Sequence, residues 1–162
     1  MPNHVMNKLT MEGNSQKINE VIEFLGGKMD FQKILPMPEE LEGTKSPVDK
    51  PNKELIKKYG YDNWYDWRCA NWGTKWNAYS LGEEDAEINS FYTAWSTPQP
   101  VIEALAEKFP DVAFIVRFAD EDMGYNCGYY EYWDGVLVDE AWFDNNLELA
   151  CELWEEDIND YK

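Results

Sequence analysis

The chain has 162 residues, with 32 acidic side chains against 14 basic ones and a formal net charge of −18. A hydrophobic fraction of 44%, with 8 Trp, 10 Tyr and 7 Phe, supplies the material of a real core and excludes intrinsic disorder despite the charge. No apolar run approaches the ~18 residues that span a bilayer, and polyanions such as nucleic acid or an anionic membrane would be repelled over the whole approach.

Asn3 to Glu12 alternates in hydrophobicity and predicts a strand, ended by Gly13. Asn14 or Ser15 then caps a helix with Ile18, Val21, Ile22 and Leu25 on its apolar face, and Gly26-Gly27 stops it. Phe31, Ile34 and Leu35 lead into Pro36-Met37-Pro38, where regular structure cannot continue. A polar loop follows through Gly43, Pro47 and Pro51, then short helical patterns at 52–59 and 62–71. Residues 28–75 therefore read as an insertion packed onto the main sheet by aromatics.

Trp76 to Ser80 predicts a short strand and Ile88 to Trp95 its antiparallel partner, with a turn at Gly82 to Asp85 between them. Thr97 or Ser96 is expected to cap a helix with Pro98 and Pro100 in its first turn and Val101, Ile102, Leu105 and Phe109 on its buried face. Val112 to Ala119 is a strongly apolar strand. Tyr129 to Trp133 and Val136 to Glu140 flank Asp134-Gly135, a type I′ hairpin signal, and Phe143 to Tyr161 reads as an amphipathic helix.

Without the insertion the order is strand, helix, strand, strand, helix, strand. That is the α+β, ferredoxin-like split βαβ arrangement with an antiparallel sheet. An added β-hairpin and a C-terminal amphipathic acidic helix complete a single expected domain over 1–162, without internal repeats. The three cysteines, Cys69, Cys127 and Cys151, form no CxxC pair and no zinc spacing, and are expected to be reduced thiols in the cytoplasm.

Several stretches resemble a known family. They are Pro2 to Leu9, the FQKILPMPEEL run from Phe31 to Leu41, NWGTKWNA from Asn71 to Ala78, and FYTAWSTPQPVI from Phe91 to Ile102. Together these are similar to the YubB ferredoxin-like family of bacteriophages, plasmids and other mobile elements, over residues 2–135. The resemblance implies a ferredoxin-like fold and a mobile-element origin in a bacterial host cell. It implies no catalytic residue and no cofactor.

Chemistry-bearing patterns are sparse. The single histidine, His4, lies in the first strand and reads as a packing residue. Gly26-Gly27-Lys28 follows a helix, whereas phosphate-cradling loops precede one. Asp120, Asp122 and Asn126 set oxygen ligands around Gly124 as calcium would require, with Glu131 twelfth from Asp120, but the glycine stands fifth, not sixth. Asp120, Asp122 and Glu131 define the alternative of a small metal-dependent enzyme. The aromatic band Trp64, Trp67, Trp72, Trp76 and Trp95 has only Arg68 and Lys75 among it, and core packing is expected of it rather than base stacking.

The charge is unevenly placed. Residues 1–117 hold 18 acids and 13 bases, a net of −5, whereas residues 118–162 hold 14 acids and one base, a net of −13. On a continuous helix, Asp144, Glu148, Glu152, Glu156 and Asp160 form a ladder at i+4 spacing, rising about 6 Å per step. Like charges at that spacing cost a helix roughly 0.2–0.5 kcal/mol per pair. With Glu155, Asp139 and Glu140 they form the candidate partner-binding surface of the acidic extension 136–162. The expected function is non-enzymatic: inhibition of a host defence complex, a CRISPR effector or restriction system, by nucleic-acid mimicry. The partner is then a basic host protein or ribonucleoprotein. A phage accessory protein without a defence target is the remaining alternative.

Overall fold

In a computed structural model, which describes residues 2–162, strand β1 (His4–Glu12) buries Val5, Asn7 and Leu9 on one face of a sheet and Met6 on the other. Asn14 accepts a hydrogen bond from the Gln16 amide and starts α1 (Ser15–Leu25). Gly26, at φ 74°, ends it, and the Gly27 amide reaches back to the Ile22 carbonyl at 3.0 Å.

The insertion forms α2 (Phe31–Ile34), a 3₁₀ turn at Glu39–Leu41, α3 (Lys53–Tyr59) and α4 (Trp64–Asn71). Asp30, Asn52 and Asn63 accept the first amides of its three helices. Phe31, Met37, Leu41, Trp67 and Trp72 enter the same core as the sheet.

The main sheet continues with β2 (Ser90–Ala94), α5 (Gln99–Lys108), β3 (Ala113–Asp120), β4 (Cys127–Trp133) and β5 (Val136–Phe143). It is antiparallel throughout, in the order β2-β1-β3-β4-β5. Asp134 and Gly135, at φ 54° and 76°, make the β4–β5 connection the two-residue turn that the Asp-Gly pair predicts.

Three sequence expectations are corrected. Trp76 to Ser80 does not form a strand: only Tyr79 bridges to Tyr92, through amides at 3.1 and 2.9 Å. The Asn77 side chain takes the Ala78 and Phe31 amides instead, which ties this segment to the insertion. Even so, β3, β1, β2 and Tyr79 lie side by side as fourth, first, third and second segments, the interleaving of the split βαβ unit.

Neither Thr97 nor Ser96 caps α5, which starts at Pro98 without a side-chain cap. Thr97 is drawn into the core, where its hydroxyl donates to Asn7 Oδ1 at 2.8 Å and meets the Tyr130 hydroxyl at 2.7 Å. Ser96 donates to the Gly73 carbonyl. A buried acceptor left without a partner costs more than an uncapped helix end, so Asn7 wins this competition.

Third, the C-terminal helix is not continuous from 143 to 161. Phe143 belongs to β5, α6 spans Leu147–Trp154, and a 3₁₀ turn covers Ile158–Tyr161. Trp154 anchors the end of α6 by donating its indole N–H to the Ala119 carbonyl at 2.9 Å. Glu155 then turns left-handed at φ 56°. Three consecutive acids at the negative end of a helix dipole disfavour further turns.

Helices α1 and α5 pack on one face of the sheet around Val21, Leu25, Val101, Ile102 and Leu105. Helix α6 covers part of the other face, where Ala150 and Leu153 meet Met6, Ala119 and Cys127. Among the described residues, no helix is long and apolar enough to cross a membrane.

Candidate functional site

The eight predicted contact residues are all exposed, but they are spread over β5, α6, the 3₁₀ turn and the loops at both ends of α6. Asp139 and Glu140 sit in the middle of β5, opposite Glu131 and Tyr130 on β4, so their side chains leave opposite faces of the sheet. Asp139 accepts from the Tyr129 hydroxyl at 3.2 Å and Glu140 from the Gln99 amide at 3.3 Å. Both bonds come from neutral donors and leave the carboxylate charge uncompensated.

Asp144 lies between β5 and α6. The Asn146 side chain then accepts the Leu149 amide and opens α6, with Glu148 in its first turn, where the dipole favours an anion. Only Glu148 and Glu152 share the helix, so the five-step ladder does not exist. Glu152 is also engaged: it pairs with Arg117 of β3 at 2.5 Å and ties α6 to the sheet.

Beyond the helix, Glu155 occupies the left-handed position while the Glu156 amide reaches back to the Cys151 carbonyl at 2.9 Å. This fold-back gathers Glu156, Asp157 and Asp160 around Cys151 and Tyr161. Burial, and then these three acids, push the Cys151 thiol up. Burial, then Glu156, Cys151 and Asp160, does the same to the Tyr161 hydroxyl. The acids thus form two patches, a pair on β5 and a denser group around α6 and its exit.

The structure does not bring the metal-ligand candidates together. Asp120 is buried at the end of β3, where it accepts from Asn3, the Asp122 amide and Asn126 at 2.9–3.0 Å. It organises the loop. Glu131 pairs with Ile115, five positions up β3 and on the opposite face, about 17 Å away at strand rise. Among the described residues, no group of three potential metal ligands converges. His4 packs against Tyr79 and Tyr92, with Nδ1 at 2.6 Å from the Tyr79 hydroxyl. Burial pushes the Cys69 and Cys127 thiols up as well.

The aromatic band divides. Trp67 and Trp72 are core residues, as expected, and Arg68 lies over the Trp64 and Trp72 rings at 5.2 and 4.9 Å. Trp76 and Trp95 are exposed, which corrects the core assignment for these two. The Lys75 ammonium sits between them, 4.3 and 4.1 Å from the ring centroids.

One surface was missed in the sequence. The β4–β5 hairpin exposes Trp133, Val136, Leu137, Val138 and Trp142. Its signal was the unbroken apolar run Val136 to Val138, which does not alternate as a half-buried strand should.

Residues 71–160 match the family described as a ferredoxin-like domain in Api92-like protein. Neither a curated protein nor a solved structure shows significant similarity to the chain. The matched segment covers the acidic C-terminal part and leaves out β1 and α1, which complete the sheet and its core. The match spans more than half of the chain, and the chain belongs to this Api92-like family.

Proposed function

We propose that this Api92-like chain is a non-enzymatic mobile-element protein that binds and inhibits a basic, nucleic-acid-handling host complex. A CRISPR effector or restriction complex in the bacterial cytoplasm fits best, its nucleic-acid channel occupied by the acidic C-terminal surface. The similarity of its motifs to the YubB family of phages and plasmids supports the mobile-element origin.

One observation carries the reading. Of the 14 acids in residues 118–162, only Glu152 has a cationic partner among the described residues. The remaining ion pairs, such as Lys28–Asp85 and Lys58–Glu40, compensate acids of the first 117 residues. A surface shaped for stability alone would intersperse lysines among the C-terminal carboxylates. Left uncompensated, they repel one another and attract a basic groove, with fast, salt-sensitive association. The mimicry rests on charge density in two patches rather than on evenly spaced steps.

Capture from host lysate tests this. Recovery of a basic nuclease or guide-RNA complex at low salt, lost at high salt, is expected, because added salt shortens the screening length. Glu148→Lys, Glu156→Lys and Asp160→Lys together abolish the capture and restore the host's restriction of phage plating. Unchanged plating with the folded triple variant refutes the proposal.

A further inference from the structure

The outer edge of β5 is open. The strand ends the sheet, runs for eight residues and has no strand beyond it among the described residues. The opposite edge, at β2, is occupied by the Tyr79 bridge. At an open edge every second residue of an antiparallel strand turns its N–H and C=O outward, ready to pair with another chain. The flanking side chains are apolar and accessible: Val136 at 60%, Val138 at 56% and Trp142 at 50% exposure.

Two features of the strand select what can add to it. Val138 is an extra residue, since Glu131 pairs with Asp139 and the next β4 residue, Tyr132, with Leu137. Such a bulge twists the edge and breaks its register, leaving Asp139–Phe143 as the stretch of continuous register. Within that stretch Asp139 and Glu140 project to opposite faces.

A second copy of the chain is a poor occupant. Antiparallel overlap of Asp139–Phe143 with itself sets Glu140 against Trp142 of the other copy, makes the two Glu140 side chains diagonal neighbours on one face, and supplies no cation to any of the four carboxylates, between two molecules of charge −18. An apolar strand leaves both carboxylates facing it unpaired.

We infer that β5 takes up, by strand addition along Asp139–Phe143, an extended segment of the basic partner. That segment carries two adjacent Lys or Arg residues, one for each face, and an apolar residue two positions from the one opposite Glu140, against Trp142. This deepens the proposed function, on which it rests, by giving the β5 patch a binding mode that differs from plain charge attraction. The apolar flanks supply contact, backbone bonds supply register, and the two carboxylates reject strands without the basic pair.

The test uses the full chain and a labelled synthetic peptide of β-branched residues with a central Lys-Arg pair. Binding is read by fluorescence anisotropy, and amide hydrogen exchange locates it. Binding with new protection confined to 139–143 is expected. N-methylation of alternate peptide amides, or D139K together with E140K, is expected to weaken it by about tenfold or more, the equivalent of two or more lost hydrogen bonds. Equal binding of the methylated peptide, protection elsewhere, or no binding overturns strand addition. If the peptide fails while the Glu148, Glu156 and Asp160 reversals still abolish capture from lysate, strand addition falls and the inhibitor reading stands. If the peptide binds but capture fails, only the inhibitor reading falls.

Discussion

Gly128→Ala is expected to destabilise the protein by about 3 kcal/mol or more, although glycine is a poor strand residue. Away from steric conflict, exchanging a strand glycine for alanine stabilises by roughly 0.5–1 kcal/mol, through the lower entropy of the unfolded chain. Here space decides the sign. A Cβ on Gly128 would stand 2.1 Å from the Ala141 carbonyl oxygen, with the Ala141 carbonyl carbon and Phe118 Cζ both at 3.1 Å. The closest neighbour is backbone in β5 and cannot rotate away, so β5 must retreat from β4 by more than 1 Å to restore ordinary contact. Overpacking costs typically 1–3 kcal/mol, each ladder hydrogen bond lost about 1 kcal/mol more. The Phe118–Trp142 ring contact, with centroids 4.7 Å apart, is disturbed as well. For a chain of this length, 3 kcal/mol lowers Tm by about 6–12 °C. Urea unfolding followed by circular dichroism measures the effect, and hydrogen exchange should show the loss concentrated in β5. A variant as stable as the parent, or more stable, refutes the steric argument.

Glu155→Gly is expected to stabilise by about 1 kcal/mol, since it relieves a left-handed non-glycine residue and removes an anion from the end of α6; a lower urea midpoint contradicts this. Asn7→Ala should cost about 2–4 kcal/mol, because Thr97 loses its acceptor and Thr93 a donor, whereas Tyr130→Phe should cost only about 1 kcal/mol. Equal losses in thermal unfolding would show that Asn7 is not the centre of the network. Burial, and then the Glu121 charge, pushes the Tyr79 hydroxyl up to about 12, and complete burial raises that of Tyr130 as well. The neutral forms are thus favoured in the fold. Stability from these groups should persist below the unfolded-state value near 10 and fall as pH climbs through 12. Denaturation at stepped alkaline pH, with tyrosinate absorbance, checks the coincidence of ionisation and unfolding.

Local signals carried some elements. Asn14 and Gly26 bracket α1 because their bonds reach only two to five residues away, and Asp134-Gly135 shapes its hairpin through its own backbone angles. The same local reading failed at Trp76 to Ser80, where Asn77 bonds to Phe31 across 46 residues, and at Thr97, claimed by Asn7 from 90 residues away. It failed again at the last helix. Periodic spacing alone could not anticipate that Phe143 pairs with Cys127 or that Trp154 anchors on Ala119.

By itself the sequence determined the α+β order of elements, the tight hairpin and the placement of −13 of the charge in the last 45 residues. Each of these depends on which residues follow one another. The tertiary structure decided which carboxylates stay uncompensated, since Arg117 meets Glu152 only when α6 docks on β3. It also decided that Asp139 and Glu140 stand on an open sheet edge rather than inside the sheet. Charge compensation and strand order compare groups far apart in the chain, and only the folded arrangement brings those groups within the few ångströms over which they act.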